Sequence, residues 1–117
     1  MNWQKLGLII KPSDYKLKWW KTYGMDPSPL KLKRSIYRVF FCGRNSKNQS
    51  LIGSFDIDLL KPKKILSISK KPILGLGSLG AFDDNGVTAS CPIRISNKKI
   101  YLYYIGWKPK STTRYSL

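Results

Sequence analysis

The feature that most constrains this chain is an internal repeat. Slid against itself by 63 positions, the sequence places Pro29 on Pro92, Leu30 on Ile93, Val39 on Leu102, Phe40 on Tyr103 and Gly43 on Gly106, with no gap. Each copy reads as a proline, a short alternating strand, a polar turn, a strongly apolar strand and a glycine. The turns fall at residues 33–35 and 96–99. Short strands separated by tight polar turns are hairpins. Their repetition at this period points to an array of equivalent sheets.

The first copy continues. Residues 50–59 alternate and predict a third strand, and residues 65–69 predict a fourth before Lys71-Pro72. Four strands in a meander are the form of a propeller blade. The glycine-rich stretch 74–86 reads as a crossing loop with unusual backbone angles. The expected fold is therefore all-β, with two four-stranded antiparallel blade-like sheets. Blade one spans about 25–72, a connecting loop 73–86, and an incomplete blade two about 87–117. A repeat array normally needs three or more units to cover its faces. The expectation is thus a fragment or one piece of a larger assembly, joined by further blades or self-associating through open sheet edges. A self-contained two-sheet sandwich is the alternative.

Composition agrees with strands. Seven Tyr, four Trp and four Phe accompany many β-branched residues, and Glu is absent. The net charge is +16, from 22 Lys and Arg against six Asp. Such a charge attracts phosphates or anionic surfaces. The lysines are scattered in twos and threes, mostly at turns, and read as solvated loop charge. No run approaches the ~20 apolar residues of a membrane span, and the apolar stretch Leu6 to Ile10 carries no cleavage pattern. A cytoplasmic protein without a membrane partner is expected. Cys42 and Cys91 have no metal-ligand spacing and read as buried free thiols. No metal and no cofactor is expected.

Four segments carry a resemblance. They are Asp26-Pro27-Ser28-Pro29-Leu30, the run from Ile36 to Arg44, the segment Gly80-Ala81-Phe82-Asp83-Asp84-Asn85-Gly86-Val87, and the run from Lys99 to Trp107. Across nearly the whole chain they resemble the N-terminal part of the five-bladed propeller glycosidases. That group contains the arabinanase/xylosidase and invertase-like families, and bacterial glycosidase-like proteins often found near polysaccharide-synthesis genes. Five units of this period give roughly 300 residues, a normal propeller size.

Glycoside hydrolysis commonly uses two carboxyl groups, one a proton donor and the other a base or nucleophile. The resemblance implies that the acid is a Glu of a later blade, and this chain has none. It also makes Asp26 the candidate catalytic base or nucleophile. Its repeat position in the second copy is Ala89, as an asymmetric site in a repeat array would have. The resemblance suggests that Asp83 and Asp84 supply a sugar-hydroxyl contact or a pKa-tuning carboxylate, and an Asx-type turn at Asp84-Asn85-Gly86 that shapes the loop is the alternative. Adjacent residues of an extended segment point to opposite sides, so only one should face a ligand, and Asp84 is preferred. Arg44 and Trp107 share one repeat position and can hold an anionic group and stack on a sugar face, respectively. Packing between blades explains Trp107 as well and is the preferred reading. Trp19 and Trp20 are expected to close or cap the array.

Two functions follow. The first is a carbohydrate-active, glycosidase-like propeller, hydrolysing glycosides or transferring sugars, with this segment inactive alone. A non-catalytic sugar-binding protein is its variant. The second is a small basic β-module that binds nucleic acid, since cations interleaved with aromatics suit base stacking.

Overall fold

A computed structural model describes residues 1–108 and the backbone of 115–116. The mostly exposed β1 (Thr22–Lys33), which alternates Leu30 and Leu32 with lysines at its end, and the apolar β2 (Ile36–Arg44) flank the two-residue turn Arg34-Ser35 and form a hairpin. The chain continues as a meander through β3 (Ser50–Asp58) and β4 (Ile65–Ile68). A second hairpin follows, β5 (Gly86–Ser96) and β6 (Lys99–Trp107), with β7 (Tyr115–Ser116) beside β6. The protein is all-β, apart from a single 3-10 turn at Pro12–Asp14 among the described residues. No helix of the described residues is long and apolar enough to cross a membrane.

The strands form one open, mixed sheet, ordered β1-β2-β3-β5-β6-β7, with β4 paired to β3. The link between its halves is slight. β3 and β5 meet in one parallel pair, Ser50 with Gly86. The two halves are best seen as a four-stranded unit and a second unit, of which three strands lie within the described residues.

The repeat extends to hydrogen-bond register. Pro29 pairs with Val39, and 63 residues on Pro92 pairs with Leu102. Leu30 and Arg38 correspond to Ile93 and Tyr101, and Lys31 and Tyr37 to Arg94 and Ile100. The bulges correspond too. β1 carries an extra residue between Met25 and Ser28, and β5 between Ala89 and Cys91. The prolines of β1 and β5 are tolerated because neither strand has a full ladder on its other side. Side chains tie β1 to β5 instead. The Ser28 hydroxyl donates to the Ser90 carbonyl at 2.6 Å, and Arg94 Nη2 donates to the Lys31 carbonyl at 3.1 Å.

β2 is apolar on both faces, so alternate residues feed two cores. Phe41 faces Trp19, Trp20, Leu51, Phe55 and Ile57, a cluster covered by Ile9, Ile10, Tyr15 and Leu17 of the N-terminal segment. Phe40 and Cys42 face the seam between the units, where they meet Leu30, Ile52, Val87 and Ala89. The short N-terminal apolar stretch is therefore part of the packing. Trp19 and Trp20 are core residues rather than a peripheral cap.

The repeat glycines have a steric reason. A Cβ on Gly43 would overlap the Trp20 indole, and one on Gly106 would overlap Phe82 and Asp83. Phe82 and Asp83 stand 63 residues after Trp19 and Trp20, so the lead-in to each hairpin folds over the same glycine.

The cysteines differ from expectation. Both are free, but only Cys42 is buried, and Cys91 is exposed. Cys91 pairs with Tyr103 on the side of the second unit that faces no further sheet among the described residues. The same contrast holds along that side. Leu30 and Phe40 are 8% and 6% exposed, whereas their repeat partners Ile93 and Tyr103 are 43% and 44% exposed.

Candidate functional site

The ends of both hairpins opposite their tight turns converge where Ser50 meets Gly86, and a pocket of about 410 Å³ opens there. Four of its nine lining residues are repeat-equivalent pairs. Met25 of β1 and Thr88 of β5 are one such pair, and Arg44 and Trp107, which end β2 and β6, are another. Asp26 joins them from β1. Asn48 of the β2–β3 turn, Ser50, Asn85 and Gly86 complete the lining.

Asp26 lies in the β1 bulge with a left-handed backbone, φ 51°. Asp tolerates this region better than most residues. The bulge re-aims residue 26, and its carboxylate stays solvent-accessible at the pocket wall. Cys42 lies behind it. Burial pushes the Cys42 thiol up, and the Asp26 carboxylate adds to that rise. The Ala89 N–H donates to the Cys42 sulfur at 3.0 Å. This buried thiol is a packing group without the electropositive surroundings of a nucleophile.

Arg44 is held on two sides. Its guanidinium carbon lies 5.0 Å from the Tyr23 ring centroid, and Nη1 donates to Asn48 Oδ1 at 3.0 Å. Its Nε is shielded and has no hydrogen-bond partner among the described residues. Trp107 Nε1 donates to Thr88 Oγ1 at 2.7 Å, which fixes the indole plane against β5. The Ser50 hydroxyl is engaged with the Val87 carbonyl at 2.9 Å. The pocket thus combines one carboxylate, one guanidinium, one oriented indole and several amide and hydroxyl groups.

The structure brings together three of the five residues singled out from sequence: Asp26, Arg44 and Trp107. Asp83 and Asp84 do not line the pocket. Asp83 is buried beside Gly77 and Gly106 and accepts from the Tyr104 hydroxyl at 3.0 Å. The Tyr104 phenol is pushed up by burial and then by this bond. Asp84 Oδ2 accepts from the Gly80 N–H at 2.9 Å and closes its own loop. The Asp84 carboxylate thus satisfies a backbone donor of its own glycine-rich loop, while the Asp83 carboxylate ties that loop to β6.

Sequence reading did not single out Asn48, Asn85 or Thr88 as lining residues. Thr88 had a usable signal: it is the repeat partner of Met25, one residue before the Asp26/Ala89 position. Asn48 and Asn85 had none, because turn residues enter the pocket only through tertiary packing.

No protein-family model matches the chain, and no solved structure matches it. Two Mycobacterium tuberculosis proteins are similar to it, "Uncharacterized protein MT1551" and "Uncharacterized protein Rv1502". Each is 41% identical over 107 residues, which cover 92% of this chain and 35% of the relative. The chain spans about a third of the length of the curated relatives it matches.

Proposed function

We propose that this chain forms two blades of a carbohydrate-active, glycosidase-like β-propeller, and that the seam pocket binds sugar. The observation that carries the proposal is the meeting of Asp26, Arg44 and Trp107 at one pocket built from equivalent ends of two repeats. An indole face suits the apolar face of a pyranose, and the surrounding amides and hydroxyls suit its hydroxyl groups. The blade reading is supported by the shared register of the two hairpins and by the exposed Ile93 and Tyr103, where a further unit would pack. In this reading Asp26 is the base or nucleophile. The proton donor then comes from another part of a longer protein, since the chain has no Glu. Sugar binding without turnover is the activity expected of this segment alone.

The test is saturation-transfer NMR on the full chain against a panel of neutral and acidic oligosaccharides. We expect binding of at least one sugar, weakened about tenfold or more by Trp107→Ala. Asp26→Asn should leave the melting temperature unchanged and alter the bound sugar's contacts. Absence of sugar binding by the wild-type chain, or binding indifferent to both substitutions, would overturn the proposal.

A further inference from the structure

The scattered lysines read as loop charge in the sequence, yet the fold gathers the loops. The β1–β2 turn carries Lys33 and Arg34, and the β5–β6 turn carries Lys98 and Lys99. The segment after β3 carries Lys61, Lys63 and Lys64. These three turns share one end of the molecule. The Leu59 N–H donates to the Ser35 carbonyl at 3.0 Å, joining the first and the third. Arg94 Nη2 reaches the Lys31 carbonyl at 3.1 Å and brings the second hairpin alongside. All of these basic residues are exposed. The acids nearby are already engaged. Asp56 is paired with Arg38 at 2.8 and 2.9 Å, and Asp58 accepts from the Leu60 N–H at 3.0 Å.

The same end carries an apolar tip. Leu59 and Leu60 occupy the turn after β3 and are 54% and 79% exposed. The hydrogen bonds from Leu59 and Leu60 to Ser35 and Asp58 fix this turn, so the leucines are held out by structure. Lys61, Lys63 and Lys64 follow directly.

We propose that this basic, leucine-tipped end, remote from the seam pocket, is a docking surface for an anionic phospholipid bilayer. The cations would meet the headgroups while Leu59 and Leu60 enter the boundary between headgroups and acyl chains. This is surface attachment and needs no membrane-crossing segment. Lipid fits better than nucleic acid because the most exposed apolar side chains at this end, Leu59 and Leu60, are aliphatic, and the Tyr101 ring beside it already carries the Lys99 ammonium, 4.8 Å from its centroid.

Flotation of the full chain with phosphatidylcholine vesicles, with and without phosphatidylglycerol, tests the proposal. Binding is expected only with phosphatidylglycerol and should weaken as salt rises. Each lysine near an anionic surface is worth about fivefold in partitioning, so K61Q/K63Q/K64Q should lose on the order of a hundredfold. L59S/L60S should lose about tenfold, the mark of insertion. Both variants alter exposed side chains and should keep the wild-type melting temperature. Failure to bind anionic vesicles overturns the proposal, as does unchanged partitioning of L59S/L60S. Tighter binding to a duplex or single-stranded oligonucleotide, indifferent to L59S/L60S, would reassign the surface to nucleic acid.

Discussion

The two halves of this molecule share a register and differ in burial. In the first unit, Leu30 and Phe40 are sealed in the seam, and the lead-in Trp19-Trp20 sits within an aromatic cluster. In the second, Ile93 and Tyr103 face outward, and the lead-in Phe82-Asp83 ends in a buried carboxylate bonded to Tyr104. Strand pairing, bulges and turns repeat because local alternation and turn chemistry specify them. Burial does not repeat, because it depends on what lies beside each unit. The first unit has the second against its Phe40 side. The second has no further sheet against the equivalent side among the described residues.

That contrast is most sharply broken by truncating equivalent residues. Phe40→Ala should cost about 3–5 kcal/mol in chemical denaturation, whereas Tyr103→Ala should cost less than about 1 kcal/mol. Equal costs would mean that the second unit's open side is covered in solution, and sedimentation would then show association. A smaller effect is expected at the lead-in of the second unit. Tyr104→Phe removes the hydroxyl donor from Asp83 Oδ2 and leaves a buried acceptor short of a partner. The expected loss is about 1–3 kcal/mol, read by thermal and urea unfolding. In the first unit the repeat partner, Phe41, has no hydroxyl to lose, so this device belongs to the second unit alone.

The smallest effect concerns acid. Asp56 is held below the usual carboxylate range, first by its hydrogen bonds from Arg38. A depressed carboxylate stabilises the fold above its unfolded pKa of about 3.9 and loses that contribution as pH falls through its lower folded value. Asp56→Asn should therefore flatten the stability curve below about pH 4. At neutral pH it should cost no more than about 1 kcal/mol, because Arg38 is partly exposed and the pair is screened. Arg38 has Tyr101 as its repeat partner, so amide exchange should place this acid sensitivity in the first unit. An unchanged curve for the variant would show that the pair contributes nothing to the fold.

Three of the nine residues that line the pocket were legible in the sequence. The offset of 63 residues placed Arg44 and Trp107 at equivalent positions and set Asp26 apart from Ala89, and these three residues line the pocket. Asp83 and Asp84 carried the same kind of signal, a carboxylate in a glycine-rich loop. Asp84 is taken up by Gly80 of its own loop, and Asp83 by Tyr104 where the loop packs on β6. A composition-level reading cannot separate a carboxylate that meets a ligand from one that satisfies its own loop.

The sequence by itself determined the strands, the two tight turns and the doubled hairpin. All of these arise from interactions between residues near in sequence, or from a pattern that the repeat states twice. Only the tertiary structure decided which faces are covered, where the pocket opens and how the charge is distributed. Those depend on contacts between distant segments: Ile9 and Ile10 on the first core, β1 against β5, and three turns brought to one end. A charge scattered along the chain becomes a surface only when the backbone places its turns side by side.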